Sequence, residues 1–301
     1  MSESAYSLAT YPPFKEGHSQ ILGYSIYWRI FEGEKSNSRT LLCLHGGPGL
    51  THDYLLGFAK LSKLGHRVVF YDQLGCGRSE NPKNITLFTV ERAVEEVEAI
   101  RKKLRLGKVD LLGHSYGGLL AIAYALKYQG NLRSLISLSG LDDVPLAIEE
   151  MEKMRLKLPR ETLSLMKRCE REGNYDDPEY QTALNVFYKR YFCRLNEWPK
   201  ELVYSLEHTS KPVYHTMNGP TEFGIIGGIR YWNVSRELKK IRVPTLVTYG
   251  RYDEVSPRVA QSIHRGIKGS KFVEFSKSSH MAMWEEPEKV LSTTAGFLEK
   301  L

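Results

Sequence analysis

The pentapeptide Gly113-His114-Ser115-Tyr116-Gly117 stands where the sequence changes its period. Before it, Val109-Asp110-Leu111-Leu112 is short, apolar and β-prone. After it, Gly118-Leu119-Leu120-Ala121-Ile122-Ala123-Tyr124-Ala125-Leu126 is rich in helix formers. A strand that turns directly into a helix leaves no room for side chains beside the turn, so glycine brackets it. The residue at the apex is held at a strained backbone angle with its side chain exposed. A chain built this way must form a sheet with helices against it, and must present Ser115 at a strand's carboxyl end.

The flanking sequence continues the alternation. Residues 19–22 and 24–31 read as an opening hairpin turning at Gly23. Short apolar runs at 40–44, 67–71, 109–112, 132–138, 245–249 and 271–275 read as strands. Residues 89–104 read as an amphipathic helix, with Val90, Val94, Val97, Ile100 and Leu104 near helical spacing, acids early and bases late. Strands alternating with helices predict a mostly parallel, doubly wound α/β sheet covered on both faces. The rhythm breaks between 141 and 232, where helical segments at 148–158 and 180–191 appear without a parallel strand. The expected organisation is a core in two pieces, 1–140 and 233–301, with a helical cap at 141–232 above the carboxyl edge of the sheet, where ligands bind in such folds.

Composition narrows the function classes. Hydrophobic residues at 42% and charged residues at 26% suit a water-soluble globular chain of 301 residues. No apolar run approaches the roughly 20 residues of a membrane span, and Met1 to Tyr6 lack a basic-then-apolar leader pattern. A cytoplasmic location is expected. The cysteines Cys43, Cys76, Cys169 and Cys193 form neither a C-x-x-C pair nor a disulfide framework, so they read as free thiols, and no metal is expected. The net charge of +7 is scattered along helix faces and predicts neither nucleic acid nor membrane as a partner.

A serine at such an apex becomes a nucleophile when a base takes its proton and an acid orients that base. After an elbow of this kind the acid and then the base follow in the chain. The strand at 245–249 ends in Gly250-Arg251-Tyr252-Asp253-Glu254, which makes Asp253 the expected acid, with Glu254, Asp142 and Asp143 as rivals. The strand at 271–275 runs into Ser276-Lys277-Ser278-Ser279-His280, and His280 alone among nine histidines has the address of the base. A developing oxyanion needs donors. The N–H of Tyr116 follows the nucleophile, and the loop His45-Gly46-Gly47-Pro48-Gly49 supplies a second, expected from Gly47. The loop from Asp72 to Ser79 reads as scaffold, tied by Asp72 and Arg78.

Together these segments resemble the α/β-hydrolase superfamily over nearly the whole chain. Within it they are similar to the proline iminopeptidases, serine exopeptidases of the archaeal tricorn-interacting factor F1 type. The likeness rests on the 45–49 loop, Asp72-Gln73-Leu74-Gly75-Cys76-Gly77-Arg78-Ser79, the elbow, Met217-Asn218-Gly219-Pro220-Thr221-Glu222-Phe223, and Tyr252-Asp253-Glu254. At His114 these enzymes often have Gly or another residue, whereas many other hydrolases have His. The resemblance implies an α/β-hydrolase fold with a cap. It implies release of N-terminal proline or other small apolar residues from short peptides, with no cofactor. It also implies that Glu222 and Glu254 hold the substrate's α-ammonium, and that an upstream protease makes the peptides. The alternative is a carboxylesterase on the same triad, which has no need of the two glutamates. An epoxide or haloalkane hydrolase would carry Asp in place of Ser115.

Overall fold

The computed structural model describes residues 11–34 and 38–301; Met1 to Tyr6, where a leader pattern would stand, lie outside them. Among the described residues one eight-stranded sheet runs in the order β1-β2-β4-β3-β5-β6-β7-β8. β1 (Lys15–Ile21) and β2 (Tyr24–Phe31) form the opening hairpin, and its first strand begins four residues earlier than the pattern suggested. The connection is a two-residue turn in which Leu22 (φ 49°) and Gly23 (φ 88°) both take positive φ, the turn that matches the twist of paired strands. β2 pairs antiparallel with β4 (His66–Tyr71). From β4 onward β3 (Arg39–Leu44), β5 (Val109–His114), β6 (Leu132–Leu138), β7 (Thr245–Gly250) and β8 (Lys271–Phe275) are all parallel. β3, β5 and β7 are almost wholly buried, which explains their unbroken apolar runs.

Helices cover both faces. α1 (Val90–Lys103) starts at Thr89, whose side chain accepts the Arg92 N–H, and ends in Arg101, Lys102 and Lys103. Its Val90, Val94, Val97 and Ile100 face the core. α2 (Tyr116–Tyr128) follows the elbow and is buried along most of its length. α8 (Pro257–Gly266), α9 (Ala282–Glu285) and α10 (Pro287–Leu298) complete the layers, and a thirteen-residue 3₁₀ segment, His52–Leu64, packs near β4. Between β6 and β7 the chain adds no strand to the sheet. It runs through α3 (Val144–Arg155), α4 (Arg160–Glu172), α5 (Pro178–Tyr191), α6 (Lys200–Glu207) and α7 (Lys211–Met217). The first three share a small core of their own around Met151, Met166, Tyr180 and Phe187.

Candidate active site

The elbow is shaped by close approach. A Cβ on Gly113 would run into the Gly117 carbonyl, one on Gly117 into the Leu44 carbonyl, and one on Gly118 would come within 2.5 Å of the Gly140 Cα. Three glycines therefore let β5, α2 and the end of β3 converge. Ser115 sits at φ 57°, ψ −125°, outside the regions open to most side chains. Its own N–H is fixed on the Leu138 carbonyl, 3.0 Å away.

The 45–49 loop closes over this serine. A Cβ on Gly46 would lie 2.9 Å from the Ser115 Cβ, so only glycine lets the loop pass so near. Gly46 donates its N–H to the Tyr54 hydroxyl at 2.7 Å, which engages it away from substrate. Gly47 (φ 115°) lines the cavity beside Ser115 and Tyr116. Tyr116 is the first residue of α2, where an N–H has no acceptor within the helix. The 72–79 loop holds the 45–49 loop from behind. Gln73 donates its backbone N–H to His45 Nε2 (3.0 Å) and its side-chain amide to the His45 carbonyl (2.9 Å). Asp72 accepts from His52 Nδ1 (2.7 Å) and from the Arg78 N–H (2.9 Å), and Arg78 reaches Asp53 at 3.0 Å.

His52, Asp53 and Asp72 bring three buried groups of metal-ligating type together, a cluster that sequence spacing did not reveal. Its carboxylates are engaged by Thr51, His52 and Arg78, and the buried Arg29 guanidinium stands 3.8 Å from Asp53. The arrangement is that of an internal ion network.

Asp253 and His280 meet directly: His280 Nδ1 lies 2.7 Å from Asp253 Oδ1, and both side chains are almost fully buried. Asp253 also accepts the Val255 N–H at 2.9 Å. Of the rival acids, Asp142 accepts from the Ser262 hydroxyl and Asp143 caps α3 through the Leu146 N–H, so neither is directed at His280. Glu254 stands on the other side of the ring, its Oε1 3.7 Å from His280 Nε2. Among the described residues no hydrogen bond joins Ser115 Oγ to His280. The two line one cavity, and such contacts commonly tighten only when substrate is present. Burial opposes a charge on His280, but Asp253 and Glu254 outweigh it and raise the imidazole above its ordinary value. Burial, with Glu222 and Asp253 nearby, pushes the Glu254 carboxyl upward.

The cavity is about 480 Å³ and takes its walls from both core and insert. Leu119, Leu141, Val144, Ile225, Ile229 and Val255 give it an apolar side. Glu222 and Glu254 both line it. Glu222 is half-buried and accepts from the Tyr188 hydroxyl at 2.7 Å, whereas Glu254 Oε2 is buried with no hydrogen-bond partner among the described residues. The insert also grips the loops below. The Tyr191 carbonyl, at the end of α5, accepts the N–H groups of both Glu254 and His280 at 3.1 Å, and Phe192 accepts from Met281. Behind His280, Glu285 accepts the Ser279 N–H and the Arg194 N–H, each at 2.6 Å. Tyr188, Tyr191, Tyr54 and Glu285 were absent from the sequence reading. No spacing rule joins them to their partners, which lie 34 residues away in the case of Tyr188 and Glu222.

Comparison with known proteins agrees with this architecture. Residues 39–287 match the family model of the alpha/beta hydrolase fold. The chain is 48% identical to a proline iminopeptidase of Saccharolobus solfataricus, over 95% of this chain and 93% of that one. It is 43% identical to the proline iminopeptidase of Thermoplasma volcanium, over 95% and 97%. Among solved structures it superposes on VinJ with a TM-score of 0.93 at 33% identity, covering 96% of this chain and all of that one. It superposes on a proline iminopeptidase of Mycobacterium smegmatis with a TM-score of 0.89 at 30% identity, covering 95% and 98%.

Proposed function

The chain belongs to the α/β-hydrolase family and, within it, to the proline iminopeptidases, and on that premise we propose how its residues act as a serine exopeptidase that releases N-terminal proline. Ser115 Oγ attacks the carbonyl carbon of the first residue while His280 Nε2 takes its proton. Asp253 holds the ring through Nδ1–H and stabilises the imidazolium. The oxyanion forms against the N–H groups of Gly47 and Tyr116. The intermediate collapses, His280 returns the proton to the departing amine, and the shortened peptide leaves. Water, deprotonated by His280, then attacks the acyl-enzyme and frees the amino acid and Ser115. No step calls for a cofactor.

The observation that carries this reading is Glu254, a buried carboxyl with an unpartnered oxygen, on the same cavity wall as Glu222 and beside His280. A carboxylate there offsets the desolvation of an ammonium. It puts the substrate's N-terminus one residue from the bond cut, which makes the enzyme an exopeptidase. The apolar wall suits proline and other small apolar residues, and the bounded volume suits short peptides. An enzyme that makes such peptides must act upstream. No helix among the described residues is long and apolar enough to cross a membrane, and a cytoplasmic location, where such peptides arise, fits the reading.

The test compares free and N-acetylated peptides, with a neutral acyl ester as control. The acetylated peptide should be refused. Glu222→Gln and Glu254→Gln should each weaken free-amine substrates by about 2–5 kcal/mol, the scale of a buried charge pair broken on one side. Both variants should retain ester hydrolysis at the alkaline plateau. Equal cleavage of acetylated and free peptides, with both variants indistinguishable from the parent, would replace the exopeptidase by the esterase.

A further inference from the structure

His114 stands beside the proposed nucleophile in the elbow, and the mechanism above gives it no task. It is fully buried and has a partner at each ring nitrogen: the Tyr54 hydroxyl at Nδ1 (2.9 Å) and the His280 carbonyl at Nε2 (3.0 Å). Tyr54 is equally buried, and its oxygen also meets the Gly46 N–H at 2.7 Å.

The ends of this chain of contacts fix every proton in it. A backbone N–H can only donate, so the Tyr54 oxygen accepts from Gly46 and keeps its own proton for His114. A carbonyl can only accept, so His114 Nε2 carries the proton toward His280. A neutral imidazole has one N–H, so Nδ1 presents its lone pair to Tyr54. The directions agree from both sides.

We propose that Tyr54 and His114 are positioning residues: they tie the oxyanion loop to the backbone of the base, with His114 locked as the neutral Nε2–H tautomer. The proposal rests on the reading of His280 as the base. The backbone on either side of His280 is then held, its carbonyl by His114 and its N–H by the Tyr191 carbonyl at 3.1 Å. Gly46 is held by the same pair, which leaves its neighbour Gly47 to face substrate. The His114 ring centroid is 4.6 Å from that of His280, so a second basic imidazole there would compete for the proton of Ser115. Burial, reinforced by the charge on His280, lowers His114 to about 3 and keeps it out of that competition.

Imidazole nitrogen NMR of the ¹⁵N-histidine-labelled enzyme tests this first. His114 should show the Nε2–H tautomer and should not titrate between roughly pH 5 and 9, across the ordinary histidine range. An Nδ1–H tautomer, or a titrating ring, overturns the proposal, and the measurement needs no variant to fold. Kinetics test it second. Tyr54→Phe should lower kcat roughly 10- to 100-fold with KM little changed, up to the scale of a group misplaced by about 1 Å. His114→Gln, which can keep an N–H toward the His280 carbonyl, should recover rate that His114→Ala loses. A folded Tyr54→Phe enzyme with parental kcat, or one altered in KM alone, also overturns it. Retained turnover by Ser115→Ala would instead strike the proposed nucleophile, and the tautomer result would still be decided separately.

Discussion

At the scale of single residues, the site is governed by two carboxylates that share one imidazole. Asp253 holds His280 at Nδ1 and Glu254 faces it at Nε2. Both favour the imidazolium and so raise the pH at which His280 becomes a free base, against the opposing effect of burial. In the proposed mechanism only the neutral ring can accept the Ser115 proton, so activity should rise as pH climbs through the His280 value. Removing the charge at 254 removes one of the groups that raise it. The kcat/KM profile of Glu254→Gln on a neutral acyl ester should therefore move to lower pH than that of the parent enzyme. An unmoved profile, or one displaced upward, would mean that Glu254 does not act on His280. On the proposed reading, a peptide's ammonium bound at Glu254 would supply the neutralising charge itself, so the substrate would help to prepare its own base.

At the scale of elements, the elbow was open to sequence reading because its constraint is local. Three glycines and a change of hydrophobic period fall within ten residues, and the strands and α2 follow from the same periodicity. Gly117 should be intolerant of any side chain. Gly117→Ala drives a methyl into the Leu44 carbonyl and should cost about 1–3 kcal/mol or more. Gly130→Ala, where a methyl meets nothing within 4 Å, should be near neutral. Thermal unfolding of the two variants checks the contrast, and equal melting points would contradict it. The insert was less legible. α4 has Pro159 before it and Gly173 (φ 68°) after it, boundary signals that sequence reading could have used. The 3₁₀ segment His52–Leu64 leaves Gly57, Lys60 and Lys63 less buried at a three-residue spacing, which is not the 3.6-residue period by which an amphipathic α-helix is recognised. Tyr54, Tyr188, Tyr191 and Glu285 escaped for a different reason: tertiary folding alone sets their partners.

At the scale of the whole molecule, an ion network ties the hairpin to the loops under the site. Arg29 of β2 bonds Glu16 of β1 and approaches Asp53, which Arg78 also engages. Burial would raise Asp53 and Asp72, but His52 and, at Asp53, Arg78 hold both below the ordinary carboxylate value. Their folded values are depressed, so their stabilisation is present above the unfolded value of about 4 and is lost as pH falls through the folded one. The melting temperature should be flat near neutrality and fall in acid. Asp53→Asn should be less stable by about 3–5 kcal/mol at neutral pH, because it removes the buried counter-charge that Arg29 and Arg78 share, and should show a shallower acid decline. A variant as stable as the parent would show the network to be dispensable. The Tyr191 carbonyl, shared by two N–H groups from separate loops, bears on engineering. An insert between two strands of one sheet is a natural unit to exchange. Here a transplanted insert must bring a carbonyl to the same point, or leave two donors stranded at about 1–3 kcal/mol each. Substitutions on the face of α5 that lines the cavity, at Gln181, Leu184 and Tyr188, leave that carbonyl where it is, whereas its last turn is tied to the loops beneath it.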